Sequence, residues 1–435
     1  MIKNALVRAL ETSPCMNNDI KERDAKYHIG MWMRPETWFN FRIDFTGSIL
    51  YSLFNVVFAQ FFAAMAIRHG ASNLDVGLLS AAPAIGSLFS PIWASMIRER
   101  SPKPFVLWPN LAARLSLILV GLWLTPFMFV SIAFFVNFLA GIQAPAYPAL
   151  LTRIYPTSLR GRLMGYVRVA QAVFLIPLAY VVGVWMDDSG DKWPLIIGAL
   201  LGALSVIVFY AVREVEPVPK TGGEAPLRGI TARFVVPWKL VKSVPGLGIF
   251  LIGVSATGFG NLLAGPLFQI YQIHALNLNN AQIGITRVAY YTLLLVAYFI
   301  QGFVIDKLSP RHALVFGMLA YALAPLLYVL IGNYASVIVA SACLGAGDAT
   351  WDIGVMSYIF KLAPGREASV FGLHLLLFGL RGTVAPVLST VATQVVPLSV
   401  VLTVASALCL AGMFMIWFRG GTKPSSMENS VSAPV

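Results

Sequence analysis

Two aspartates, Asp348 and Asp352, stand four residues apart in Gly345-Ala-Gly347-Asp348-Ala-Thr-Trp351-Asp352, inside a stretch that is otherwise largely apolar. In a helix this spacing puts both carboxylates on one face, about one turn apart. Two carboxylates so close in a dry setting do not both ionise easily, so one is expected to hold a proton near neutral pH. Such a pair can take up and release a proton. Arg381, near the middle of the next apolar stretch, is placed to pair with Asp348, and His374 lies two turns before it. A purely structural ion pair that fixes two helices together is the alternative.

Other ionisable residues are scattered singly through apolar surroundings: Arg42, Asp44, Arg114, Arg168 and Arg287. A charge in hydrocarbon costs about 2.5–3.5 kcal/mol or more, so each requires a partner, a wet cavity or a route to the interface. Arg42 and Asp44 open the first apolar stretch and either reach the headgroups or serve a function, which for Asp44 would be a share in proton coupling. Arg114 is expected to pair structurally or to snorkel. If Arg168 and Arg287 face a common cavity with Arg381, that cavity is cationic and favours a carboxylate, phosphate or sulfonate. Gln143, Tyr147, Asn261, Gln269 and Tyr290 would supply its hydrogen bonds and aromatic faces, although aromatic residues in such helices also serve simply as packing.

The elements that must hold these residues are membrane helices. The chain has 435 residues, 58% of them hydrophobic and 11% charged, against roughly 25% charged in soluble domains. Twelve apolar stretches reach the roughly 20 residues that a helix needs to cross a hydrocarbon core of about 30 Å. They cover residues 43–66, 75–97, 104–126, 129–152, 162–186, 193–212, 246–271, 281–305, 312–332, 335–361, 367–390 and 395–418. Segments of this length are helices and not barrel strands.

Of the 31 Lys and Arg residues, 24 fall in the N-terminal segment, the tail and every second connection, while the alternate connections carry only Arg68 and Lys192. This bias places both termini in the cytoplasm and the chain in the inner membrane, surrounded by lipid. The net charge of +12 therefore reads as topology and not as nucleic-acid binding. Phosphate-binding loops of the Gly-x-x-x-x-Gly-Lys-Ser/Thr type are absent, and so are His-x-x-x-His and Cys-x-x-Cys clusters. No cofactor, no metal centre and no catalytic role are expected, with at most weak cation binding by Asp348, Asp352 and His374. Cys15, Cys343 and Cys409 have no extracellular partner and read as packing residues.

Five segments follow: a cytoplasmic N-terminal segment (1–41), a first six-helix bundle (42–212), a linker (213–245), a second bundle (246–418) and a tail (419–435). The linker opens with a Pro/Gly-rich run and ends in an amphipathic stretch, Arg233 to Lys242, suited to the headgroup layer.

The two bundles carry traces of one another. Gly302-Phe-Val-Ile-Asp306-Lys307-Leu-Ser309-Pro310-Arg311 recurs, degraded, as Ala94-Ser-Met-Ile-Arg98-Glu99-Arg100-Ser101-Pro102-Lys103, 208 residues earlier, and Pro364-Gly365-Arg366 repeats elements of Pro156 to Arg162 at the same offset. Six spans, a long linker and six more, with Gly-x-x-x-Asp-Lys between spans eight and nine, resemble the major facilitator superfamily of secondary transporters. The resemblance implies an all-α membrane protein of twelve transmembrane helices in two pseudo-symmetric six-helix halves. It also implies that Gly302, Asp306, Lys307 and Arg311 latch one conformation on the cytoplasmic side, with Gly302 letting two helices approach. In the first copy Arg98 replaces the acid, so Arg98, Arg100 and Lys103 would need other partners. The run Gly141-Ile-Gln143-Ala-Pro145-Ala-Tyr147-Pro148 is similar to the end of span four in this superfamily. Asn137 stands where its proton-linked drug exporters carry an arginine, and their Gly-Pro-x-x-Gly-Gly signature is missing.

A monomeric carrier of a small organic solute is expected, driven by protons through Asp348, Asp352 and Arg381, with export favoured over import. A lipid flippase of the same fold and a membrane sensor that has lost transport are the alternatives.

Overall fold

The computed structural model of the chain describes residues 26–97, 100–214, 241–364 and 366–419. Arg98, most of the amphipathic stretch and the tail after Arg419 lie outside the described residues, as does the side chain of Asp306.

A short antiparallel hairpin, β1 (Lys26–His28) and β2 (Met31–Met33), precedes the helices. Its turn passes through Ile29 and Gly30 at φ of 41° and 80°. The His28 ring lies flat on Trp38, with centroids 4.3 Å apart, which seats the hairpin against the start of the first helix. That end of the bundle is called the hairpin end below, and the opposite one the distal end.

The helices are α1 (Pro35–Arg68), α2 (Asn73–Leu88), α3 (Ser90–Ile97), α4 (Lys103–Leu122), α5 (Pro126–Ile154), α6 (Thr157–Ser189), α7 (Lys192–Tyr210), α8 (Leu247–Ala275), α9 (Asn280–Lys307), α10 (Pro310–Leu330), α11 (Tyr334–Leu362), α12 (Glu367–Ala392) and α13 (Leu398–Arg419). Their starts carry recognisable signals. Asn279 and Asn333 cap α9 and α11 through reciprocal bonds with Gln282 and Ser336, and Pro35, Pro126 and Pro310 occupy first turns, where a missing N–H costs nothing. Among the described residues, ten helices are long and apolar enough to cross a membrane. Two expected spans fall short of this. The second breaks at Phe89 into α2 and α3, just before Pro91, whose ring nitrogen cannot continue the hydrogen-bond ladder. The tenth, α11, has 29 residues but carries Asp348, Asp352 and many Ser, Gly and Thr, which lower its hydropathy.

The helices pack as two groups. In one, α1 lies on α6 and α7, α4 on α5 and α7, and α2 on α5; in the other, α8 lies on α12 and α13, α9 on α11, and α10 on α11 and α13. Two seams join the groups, α2 against α12 and α6 against α9. Counting α2 and α3 as one span, these pair span two with eleven and span five with eight, so each seam is the repeat-equivalent of the other. Small residues allow the close approach. A Cβ on Gly183 of α6 would come within 3.1 Å of the Ala281 Cα on α9, and one on Gly284 of α9 within 2.7 Å of the Ala179 carbonyl on α6.

Candidate functional site

Three adjoining cavities run from the interior of the first helix group to the space between the two groups. The first, of about 220 Å³ toward the hairpin end, is lined by Asp44, Tyr51, Asn110, Arg114, Gln143, Tyr147, Arg168 and Gln171. The central one, of about 540 Å³, shares Tyr51, Asn110, Arg114 and Gln143 with it and adds Asn137, Gln269 and Arg287. The third, of about 330 Å³, shares Gln269 and Arg287 and reaches Gln60, Asn261, Gln272, Tyr290, Tyr328 and Asp348. Volumes of this order suit small solutes. The structure thus brings Arg168, Arg287, Gln143, Tyr147, Asn261, Gln269 and Tyr290 to one lumen, although they come from four helices.

Asp44 does not reach the headgroups. It is 3% exposed and accepts a hydrogen bond from the Tyr155 hydroxyl at 2.8 Å, because its position on α1 turns it toward α5 and α6, away from lipid. Arg42, two residues earlier, faces outward beside Phe45 and Tyr166. Arg114 belongs to the lumen and does not snorkel. Its Nη1 donates to the Gly202 carbonyl at 2.7 Å and to the Ser205 hydroxyl, and its guanidinium lies over the Tyr51 ring. Its helix α4 packs on α5 and α7, and Asn110, one turn earlier on α4, lines the same cavities.

Asp348 on α11 accepts hydrogen bonds from two tyrosine hydroxyls, Tyr290 of α9 and Tyr321 of α10. Asp352, one turn further, is exposed and accepts from Tyr298. The carboxylates therefore share a face but are held by separate donors.

The expected Asp348–Arg381 pair does not form. Arg381, 6% exposed, donates from Nη1 to the Val254 carbonyl at 3.3 Å and lies over the rings of Trp351 and Phe378. Gly258 on α8 opens the slot it occupies: a Cβ there would stand 2.7 Å from the Arg381 Cζ. With tyrosines saturating Asp348 and Trp351 covering the guanidinium, each group finds its partners elsewhere, and Arg381 does not line the three cavities. His374, 4% exposed, packs between Trp351 and Phe371, so the envisaged Asp348–Asp352–His374 cation site does not assemble. Among the described residues no cluster of three or more His, Cys, Asp or Glu could hold a metal.

A second constellation escaped the sequence reading. At the distal end the Asp187 carboxylate accepts from the backbone N–H groups of Asn280 (2.9 Å) and Ala281 (2.8 Å), two free donors in the first turn of α9. Arg68 donates to the Asn280 side chain and, at 2.7 Å, to the Leu278 carbonyl, and Asn73 reaches Thr393 at 3.4 Å. His69 meets Asp191 at 3.0 Å beside them. All but the last of these bonds join the two helix groups. Gln60 and Tyr291 add one more near the middle. Asp187-Asp188 and the cap at Asn279 were visible as local signals, but their meeting across 93 residues was not.

The hairpin-end connections behave differently, each bonding within its own group. Arg153 pairs with Glu214 at 2.9 Å and donates to the Arg100 carbonyl, and Lys103 donates to the Val212 carbonyl at 2.8 Å. In the other group Arg311 donates to the Ile416 carbonyl at 3.1 Å, and Lys307 sits over the Phe303 ring. Gly302 does not serve close packing, since a Cβ added there meets nothing within 4 Å. It stands 18 residues, five helical turns, from Gly284 and so on the same face of α9, at a level where no neighbour comes within reach of a Cβ.

By sequence, no curated protein matches the chain. Among solved structures it resembles a mutant of the nucleoside transporter NupG (TM-score 0.71, 12% identity, covering 87% of this chain and 99% of that one). It also resembles a D-xylose-proton symporter (TM-score 0.66, 12% identity, 89% and 100%) and an inward-facing bacterial homolog of the human lysosomal transporter Spinster (TM-score 0.65, 12% identity, 90% and 100%). At such identities these likenesses speak to the fold. The sequence profile of the Major Facilitator Superfamily matches residues 45–274 and 250–434, together nearly the whole length beyond the N-terminal segment. The chain belongs to the Major Facilitator Superfamily of secondary transporters.

Proposed function

We propose that this protein is a proton-coupled carrier of small organic anions. It would have twelve spans in two six-helix halves, 42–212 and 246–418, joined by the linker 213–245, with both termini in the cytoplasm of an inner-membrane protein. The observation that carries the reading is the lumen itself. Arg114 and Arg287 line it without an acidic partner among the described residues, while a carboxylate, Asp348, sits in the same lumen between two tyrosines. Unpaired guanidinium groups in a membrane interior select for anions. A buried carboxylate that exchanges its proton links their movement to a gradient.

Asp348 is the principal proton carrier in this reading, with Asp44 as its counterpart in the other half and Asp352 at the exposed end of the path. Arg381 and His374 support the α11–α12 contact from outside the lumen. One neighbour of the same fold is a proton symporter, so proton coupling is compatible with the architecture. Bonds across the seam cluster at the distal end; with both termini in the cytoplasm, the hairpin end of the lumen would face the side from which an exported solute loads.

The test is reconstitution into liposomes with an internal pH dye and a panel of organic anions, cations and neutral solutes. Anions alone should trigger proton flux, Asp348→Asn should abolish it, and Asp352→Asn should leave most of it. Flux triggered only by cations or neutral solutes, or retained in Asp348→Asn, counts against the proposal.

A further inference from the structure

The charges along the lumen are unevenly placed. Arg114 and Arg287 border the central cavity, one from α4 and one from α9, and no carboxylate among the described residues lines it. The carboxylates are displaced to the flanking cavities, Asp44 held by Tyr155 and Asp348 by Tyr290 and Tyr321. Arg114 has only neutral acceptors, the Gly202 carbonyl and the Ser205 hydroxyl, and its Nε is buried without a partner. The Nε of Arg287 is likewise buried and unpartnered. Guanidinium groups do not lose their proton at physiological pH, so the central cavity carries two fixed positive charges, each contributed by a different helix group.

Resting on the anion reading above, we propose that the transported solute is a dianion: a short dicarboxylate with one carboxylate on Arg114 and the other on Arg287. A monoanion compensates one guanidinium and leaves the other unpaired in a low-dielectric site. A dianion compensates both and, because α4 and α9 move with different helix groups, bridges the two halves. The amide of Gln269, whose Oε1 is also buried and unpartnered, is free to accept from a hydroxyl or amino group on the linking carbons.

Thermal stabilisation of the purified full-length chain in detergent tests this without requiring transport. The probes are succinate and glutarate, with butyrate and valerate as monoanions of matched length and glutaramide as the neutral control. At least one dianion should bind about tenfold or more tighter than its matched monoanion. Arg114→Gln and Arg287→Gln should each bring that dianion down to the monoanion level. Both variants should elute as the wild type does and melt no lower without ligand, because each removes an uncompensated buried charge; Arg114→Lys and Arg287→Lys, which keep the charge, should retain part of the preference. Equal affinities for monoanions and dianions, with sensitivity to Arg287→Gln preserved, overturn the dianion and leave the anion carrier standing. A response to no dianion overturns the inference, and a response to glutaramide alone overturns both.

Discussion

Asp187 offers a direct way to unseal the distal end. Its two carboxylate oxygens accept from Asn280 N at 2.9 Å and Ala281 N at 2.8 Å, across the seam between α6 and α9. Asp187→Asn keeps one acceptor oxygen but loses the second bond and the charge that favours a helix N-terminus. A charged hydrogen bond is worth about 1.5–3 kcal/mol and the helix-terminus interaction about 0.3–1 kcal/mol. Asp187 is exposed, so the lower part of that range applies, about 1–2 kcal/mol. If the seal exists only in this conformation, the ratio of distally closed to distally open molecules should fall about 5- to 30-fold. Spin labels at Leu74, in the first turn of α2, and Val395, in the turn that follows α12, both exposed and at the distal end, report that ratio as a distance distribution. The short-distance population should shrink in Asp187→Asn and stay unchanged in Asp188→Asn, whose parent carboxylate makes no hydrogen bond among the described residues. An unchanged distribution in well-folded Asp187→Asn, or equal shifts in both variants, would refute the reasoning.

Two glycines give opposite expectations. Gly258→Ala puts a methyl group against the Arg381 guanidinium and should lower the melting temperature, with overpacking costing about 1–3 kcal/mol; an unchanged melting curve would mean that Arg381 has another place to go. Gly302→Ala meets open space in the middle of a helix and should stabilise the protein by about 0.5–1 kcal/mol while leaving transport intact, whereas a loss of transport would restore the motif glycine to a packing role in some other conformation.

Segment length, hydropathy and the 208-residue repeat contain most of the architecture, because lipid permits few solutions for a chain that is 58% hydrophobic. The helical class, the approximate spans and the family all follow from residues read in one dimension. Charge inside apolar stretches also marked the right neighbourhood: Asp44, Arg168, Arg287 and Asp348 all border the lumen. Their partners were not legible. Asp348 turned to Tyr290 and Tyr321, and Arg381 to a slot beside Gly258, because a partner depends on the rotation of each helix about its axis. Helical spacing fixes which residues share a face, but packing against the neighbouring helices decides where that face points. The same holds for Arg114, whose reach into the cavity depends on how α4 lies on α7, and for Asp187, whose partners stand 93 residues along the chain. The sequence by itself determined that this protein lives in a membrane and carries costly charges there; only the tertiary structure decided which of those charges find partners and which border the lumen without one.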